Sequence, residues 1–356
     1  MSFLSIIILY EEKFIFSRVF LIIFLIFPIL TEKNKIQNRR NLESLSEISV
    51  KIKGKNNQRI ISSYFYNQAP EPYRPYPDIY LNDTLLCERC YAVYLEEDYT
   101  ILKLKFNSEI SYFSNLFDGL KNLIEANFTN FYSTNRKLMD KMFFECSYLE
   151  YVNISKFNNN LFTAGSLFQV FLGCQSLISL DISSFDTTEC TNMAELFYSC
   201  KNLISLDISN FNTEKINSMS KMFLGCRQLT SLNLSNFKTE LVTNMENMFA
   251  SCESLTSIDL YNFKTENVKT MKSMFYGCIK LKSLDLSNFE TPSLEEFKSM
   301  FSNCYSLTSL NISNFNTSNI KDMSQLFSNC YSLTSLDLSI FDPSSAEKMN
   351  QMFERL

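Results

Sequence analysis

The side chains best suited to chemistry in this 356-residue sequence are its 11 cysteines, and the chain has no histidine. Cysteine–histidine and serine–histidine catalysis and histidine-bearing metal sites are therefore excluded. The chain has six glycines and no glycine-rich loop that could cradle a phosphate. We expect a protein that is not an enzyme and that needs no cofactor and no metal.

The spacing of the cysteines indicates a structural role. Seven of them recur every 26 residues, at Cys174, Cys200, Cys226, Cys252, Cys278, Cys304 and Cys330. If the copies stack, neighbouring thiols come within reach of each other, and an exported chain meets oxidising conditions that favour cross-links. A free cysteine also behaves as a small apolar residue. Leucine occupies the equivalent position at Leu120, which favours buried, reduced core thiols over cross-links.

A second cysteine pattern, Cys87-Glu-Arg-Cys90, lies outside this series. Two cysteines alone are weak evidence for a zinc or redox site. We predict a local disulfide between Cys87 and Cys90.

The repeated unit itself combines two periodicities. In the copy that begins at Cys226, Leu232 and Leu234 alternate as on one face of a strand. Apolar residues then follow at i, i+3, i+4 and i+7, which is typical of one stripe of a short helix: Met245, Met248, Phe249 and Cys252. Short polar residues that would cap this helix precede the stripe, at Ser218, Asn244, Thr270 and Asp322.

One such unit cannot bury its apolar face alone, whereas stacked copies share one core. Cys146 lies 28 residues before Cys174, which predicts a two-residue insertion near 158–160 in about nine units. The pattern C-x-x-L-x-x-L-x-L-S-N-F-x-T, continued by V/I-x-x-M-x-x-M-F, resembles the BspA-like leucine-rich repeat surface proteins, in a methionine-rich variant also found in mycoplasma lipoproteins. The resemblance implies a cell-surface adhesion or recognition module. We therefore expect an α/β leucine-rich-repeat solenoid with one short parallel strand and one short helix per 26-residue unit.

The outward face of the predicted strands is the candidate ligand-binding surface. Side-chain alternation places acidic or amide residues opposite the leucines, at Asp181, Asp207, Asn233, Asp259, Asp285, Asn311 and Asp337. We call these seven residues the Asp/Asn row. Serines flank it at Ser205, Ser209, Ser283 and Ser287. The alternative interpretation is a solvated face whose small residues permit close stacking.

The N-terminal third is divided by composition. Residues 14–30 are almost wholly apolar, which suits a signal peptide or a membrane anchor within residues 1–30. We expect residues 31–78 to form a basic, then proline-rich tether, and residues 79–106 to cap a repeat region at 107–356. The Leu102, Leu104 and Phe106 alternation predicts an edge strand in that cap. Asn82 is the most plausible of several glycosylation sequons.

Charge separates these regions. Residues 31–60 hold 8 Lys+Arg and 3 Glu, a net of +5, whereas residues 175–356 hold 14 Lys+Arg and 20 Asp+Glu, a net of −6. The acidic repeats argue against a nucleic-acid partner. We predict a non-catalytic adhesion or recognition protein, secreted or at the cell surface, that binds a protein or glycan. The alternative is an intracellular or purely structural repeat scaffold, and the oligomeric state is not predicted.

Overall fold

The structure is a computed structural model that describes residues 46–68, 77–106, 113–131, 139–154, 165–339 and 341–356. The predicted signal or anchor at residues 1–30 lies outside these ranges. So does most of the predicted insertion, near residues 158–160.

Ten strands and one helix are present in these ranges. They are β1 (Glu47–Lys53), β2 (Asn56–Arg59), α1 (Ser63–Gln68), β3 (Pro77–Leu81), β4 (Thr84–Cys87), β5 (Ala92–Leu95), β6 (Tyr99–Phe106), β7 (Leu123–Asn130), β8 (Tyr151–Asn153), β9 (Ser283–Asp285) and β10 (Ser309–Asn311). Three separate sheets result: a six-stranded sheet in the order β4-β3-β6-β1-β7-β8, the pair β2-β5 and the pair β9-β10. In the largest sheet only the β7–β8 pairing is parallel.

Strand β1 corrects the predicted tether. Ile48, Val50 and Ile52 alternate with polar residues and are buried, and β1 lies between β6 and β7. Residues 46–68 are therefore folded, because each buried aliphatic side chain contributes about 1.5–3 kcal/mol. The signal was the period-two alternation in Glu47–Lys53, which the basic composition of this stretch concealed.

Strand β6 has the predicted alternation but not the predicted position. Leu102, Leu104 and Phe106 are buried. The strand lies inside the sheet, between β3 and β1, so the prediction of an edge strand is wrong. Its lysines project from the opposite face, where Lys103 pairs with Asp83 at 2.7 Å.

The repeats stack through backbone hydrogen bonds between residues 25 apart. Lys221 donates to the carbonyl of Glu246 at 2.8 Å, Phe223 to Met248 at 2.9 Å and Gly225 to Ala250 at 2.8 Å. The intervening amides turn back and bond three residues earlier in the same repeat, as Leu224 does to Lys221. Alternate amides thus serve two directions, which satisfies the buried backbone without a helix.

The predicted fold class, an α/β leucine-rich-repeat solenoid with one helix per unit, is wrong. Among the described residues the one helix is α1, which lies outside the repeats. Lys221 and Gly225 have φ of 54° and 75°, and two left-handed residues spaced in this way interrupt the stripe in each copy. A right-handed helix cannot pass through them. The predicted strands are also scarce, since within the seven regular copies only β9 and β10 form a described strand pair.

The residues predicted to cap helices cap these turns instead. The Asn244 side chain accepts the amide hydrogen of Glu246 at 2.9 Å, and Asp322 accepts that of Ser324 at 2.9 Å. The chemistry of a short polar acceptor before a tight turn is thus retained without a helix.

Buried threonines join the repeats at another corner. The Thr213 hydroxyl donates to the carbonyl of Lys238 at 2.8 Å and accepts from its amide at 2.7 Å. Equivalent threonines are buried at Thr187, Thr239, Thr265, Thr291 and Thr317. Each hydroxyl replaces a backbone partner that the corner would otherwise leave unpaired.

The core is one apolar cluster across the described residues from Ile48 to Met352. Its centre is a row of phenylalanines whose neighbouring rings stack with centroids 5.4–6.1 Å apart, from Phe117 to Phe353. Across the predicted insertion the backbone offset widens, because Phe143 donates to Val170, 27 residues on. The two added residues therefore shift the register without breaking the stack.

Candidate functional site: the polar face of the repeats

The Asp/Asn row lies on the surface as predicted from side-chain alternation. All seven side chains are exposed. Asp285 in β9 pairs with Asn311 in β10 in parallel register, and Asn153 in β8 forms a bridge with Asp181. Because equivalent residues of paired copies face the same way, the row is a strip of oxygen-bearing groups along the stack.

The row extends further toward the N-terminus than was predicted. Asn127 in β7 pairs with Asn153 in β8, which itself bridges to Asp181. The two asparagines were missed because their copies depart from the 26-residue spacing. The strip therefore continues onto the six-stranded sheet.

Each member of the row also has a local structural task. Asp207 accepts the Ser209 amide at 3.0 Å and its hydroxyl at 2.7 Å, both through Oδ1. The other six members likewise accept the amide two residues on, at Ser183, Ser235, Tyr261, Ser287, Ser313 and Ser339. This turn explains why only Asp and Asn occur in the row, and it engages only one of the two carboxylate oxygens.

These hydrogen bonds keep the row anionic. Donation by the Ser209 hydroxyl and then by its amide lowers the pKa of Asp207 below the ordinary 3.8. The Ser339 amide and hydroxyl lower the pKa of Asp337 in the same way. Both groups carry full charge at neutral pH, since hydrogen bonds to a carboxylate favour its ionised form.

The flanking serines form a second row. Ser205 and Ser283 are exposed two residues before the Asp/Asn row. The same position is an exposed serine in all seven regular copies, which adds Ser179, Ser231, Ser257, Ser309 and Ser335. Extending the 26-residue period to every copy would have found them. Ser209 and Ser287 lie on the other side of the row and donate to it.

The thiol series is in the core and not on this face. All nine cysteines outside the Cys87–Cys90 pair are free and buried. Cys226 Sγ donates to the carbonyl of Phe197 at 3.2 Å, and the same bond recurs along the series. Burial raises the pKa of the Cys330 thiol to about 11 and that of Cys226 well above 9.0, so these thiols stay protonated and unreactive at neutral pH.

The remaining predicted positions lie in the N-terminal sheet region. Cys87 and Cys90 form a disulfide with their Cα atoms 6.0 Å apart. Asn82 is exposed in the turn between β3 and β4 with φ of 49°. Within the described ranges no group of three or more Asp, Glu or Cys side chains could hold a metal ion, and no helix is long and apolar enough to cross a membrane.

Comparison with known families assigns the repeats. Two matches to the family described as "Mycoplasma protein of unknown function, DUF285" cover residues 165–283 and 252–356. Together they span 165–356, more than half of the 356-residue chain. The chain belongs to this family, and the finer BspA-like resemblance is not established by the match.

Other comparisons add little. No curated protein matches the chain. Among solved structures, "Crystal structure of TLR13-ssRNA13 complex" aligns with 64% of this chain at 17% identity and a TM-score of 0.20. The chain spans 41% of that protein, and a likeness this weak supports no argument about fold or ligand.

Proposed function

We propose that the protein is a non-catalytic recognition protein, displayed at the cell surface or secreted, that binds a protein or glycan through its polar face. The observation that supports the proposal is the exposed Asp/Asn row with its parallel serine row. A flat strip of carboxylates, amides and hydroxyls at one spacing offers many weak hydrogen bonds to an extended ligand.

The local turns limit how this proposal is tested. Asp259→Ala would remove the acceptor of the Tyr261 amide as well as a charge, so loss of binding would be ambiguous. Arginine at Ser257 and Ser283 instead covers the strip with long side chains, because both serines are exposed.

The experiment measures binding of the full chain to an array of glycans and matrix proteins. We expect Ser257→Arg/Ser283→Arg to weaken the binding of any ligand found by at least about tenfold. The control, Leu241→Arg/Asn267→Arg, adds the same charge at exposed positions of another corner. If both variants bind as the parent does, the polar face is not the site.

Location is tested separately. A tagged chain with residues 1–30 should be cleaved by protease added outside intact cells, and a chain without them should be protected. Protection of both would favour an intracellular scaffold.

A further inference from the structure

A cavity away from the polar face lies where β6 begins. It has a volume of about 620 Å³ and is lined by residues of β3, β4, β5 and β6 and of their connections. This size falls in the range of about 300–1,000 Å³ that is usual for small-ligand sites. The walls are apolar, from Leu81, Leu86, Leu95 and Ile101.

The charges of the cavity are of one sign. Glu96 and Glu97 are its charged lining residues, and no lysine or arginine is among them. The nearest described lysines have other partners: Lys51 pairs with Glu125 at 2.6 Å, and Lys55 pairs with Asp98 at 3.6 Å. Electrostatic complementarity therefore favours a cationic occupant.

Two tyrosines supply ring faces at the same place. Tyr94 and Tyr99 line the cavity and are 68% and 55% exposed. The ammonium groups of Lys51 and Lys53 lie 6.0 Å from the Tyr99 ring centroid, so the Tyr99 ring already attracts cations. Tyr94 is the ring left for a ligand cation.

Thr100 gives an independent indication of a missing polar partner. It lines the cavity, is 7% exposed, and its buried hydroxyl oxygen has no hydrogen-bond partner. It follows Tyr99 in β6 and pairs with Ile52 of β1, so it is fixed in a sheet. Buried hydroxyls are almost always hydrogen-bonded, and a ligand N–H would supply the bond.

We infer that this cavity binds the ammonium or guanidinium end of an organic cation, such as a lysine or arginine side chain of a peptide or a small alkylamine. Glu96 and Glu97 balance the charge, Tyr94 lies against the cation, Thr100 accepts one N–H, and the leucines enclose the alkyl stem. This site is independent of the polar face of the repeats.

The test titrates the full chain with three probes by calorimetry: Nα-acetyl-lysine methylamide, n-pentylammonium and the neutral Nα-acetyl-norleucine methylamide. We expect the two cations to bind and the norleucine probe to bind at least about tenfold more weakly. A preference between the two cations separates a peptide side chain from a free amine.

Variants locate the binding. Glu96→Gln/Glu97→Gln should weaken the lysine probe by about tenfold, and Thr100→Val by about threefold with its fold retained. Glu88→Gln, an exposed acid outside the lining, should have no effect. Equal binding of the lysine and norleucine probes, tighter binding of a neutral methyl glucoside, or unchanged affinity in either cavity variant would each overturn the inference.

Discussion

The hydroxyl of Thr239 donates to the carbonyl of Lys264 at 2.8 Å and accepts a hydrogen bond from the amide of the same residue at 2.7 Å. One buried side chain thus satisfies both backbone groups of a residue 25 positions later. Neither group has water as an alternative, because Thr239 is 1% exposed.

Replacing that hydroxyl should be costly. Thr239→Val keeps the shape but orphans the amide and carbonyl of Lys264, so we expect a loss of about 1–3 kcal/mol in the free energy of unfolding. Urea denaturation followed by circular dichroism measures it. Thr230→Val, at an exposed position, is the control and should change little. Equal stability of the two variants would show that the corner does not depend on this bond.

The cysteine row should be chemically silent in the folded protein. The nine free thiols are buried, and burial raises their pKa, that of Cys190 to about 11. A thiol reagent at neutral pH should therefore label none of them until urea is added. Reduction of the Cys87–Cys90 disulfide in folded protein should release two rapidly labelled thiols. Rapid labelling before reduction would contradict the buried assignment.

A left-handed serine offers a stabilising substitution. Ser251 has φ of 56° at the position that glycine occupies in Gly225 and Gly277. A left-handed non-glycine residue costs about 1–2 kcal/mol, and the greater freedom of glycine in the unfolded chain offsets about 0.5–1 kcal/mol of the gain. Ser251→Gly should raise the free energy of unfolding by about 0.5 kcal/mol.

The control for this prediction lies three residues on. Ser254 is outside the left-handed region, so Ser254→Gly should lower stability. A loss in both variants would indicate that the Ser251 side chain has a role of its own.

Acid should act through the Asp/Asn row. The pKa of Asp207 and of Asp337 is lowered by the Ser209 and Ser339 donors. A group whose pKa is lower in the folded state stabilises the protein above its unfolded pKa, and this contribution is lost as the pH falls through the folded value. Stability should therefore decline below the ordinary value of 3.8.

Asparagine separates the charge from the turn. Asn233 accepts from the Ser235 amide at 3.1 Å without titrating, so Asp207→Asn/Asp337→Asn should preserve the turns. The urea midpoint of this variant should fall less than that of the parent between about pH 5 and about pH 2. Glu266→Gln, an exposed acid outside the row, should follow the parent. Identical acid profiles for the row variant and the parent would refute the assignment.

Periodicity predicted which residues are buried but not the backbone that buries them. Met245, Met248, Phe249 and Cys252 are all buried, as their spacing indicated. The same spacing arises from successive three-residue turns, so it does not distinguish them from a helix. Glycine and asparagine before the cysteine, at Gly225 and Asn303, were a signal of left-handed backbone; Lys221 was not, because inter-repeat bonds override its preference.

The candidate face was predicted in position but not in local role. Side-chain parity placed Asp207 and Asp285 on the surface. It did not reveal that each closes a turn, because that bond depends on the direction the chain takes at Ser209 and Ser287. The alternation in β1 was overlooked, since strand pairing with β6 and β7 is a tertiary property.

The constant offset of 25 residues has a consequence for how such a gene can change. Lys221 bonds to Glu246, and Asn247 bonds to Lys272, by the same geometry. Recombination that removes or duplicates one whole 26-residue copy would give every amide an equivalent new partner. The array can therefore lengthen or shorten in whole units while the joint between any two remains the same, whereas a frame of any other length would need an accommodation like the one between Phe143 and Val170.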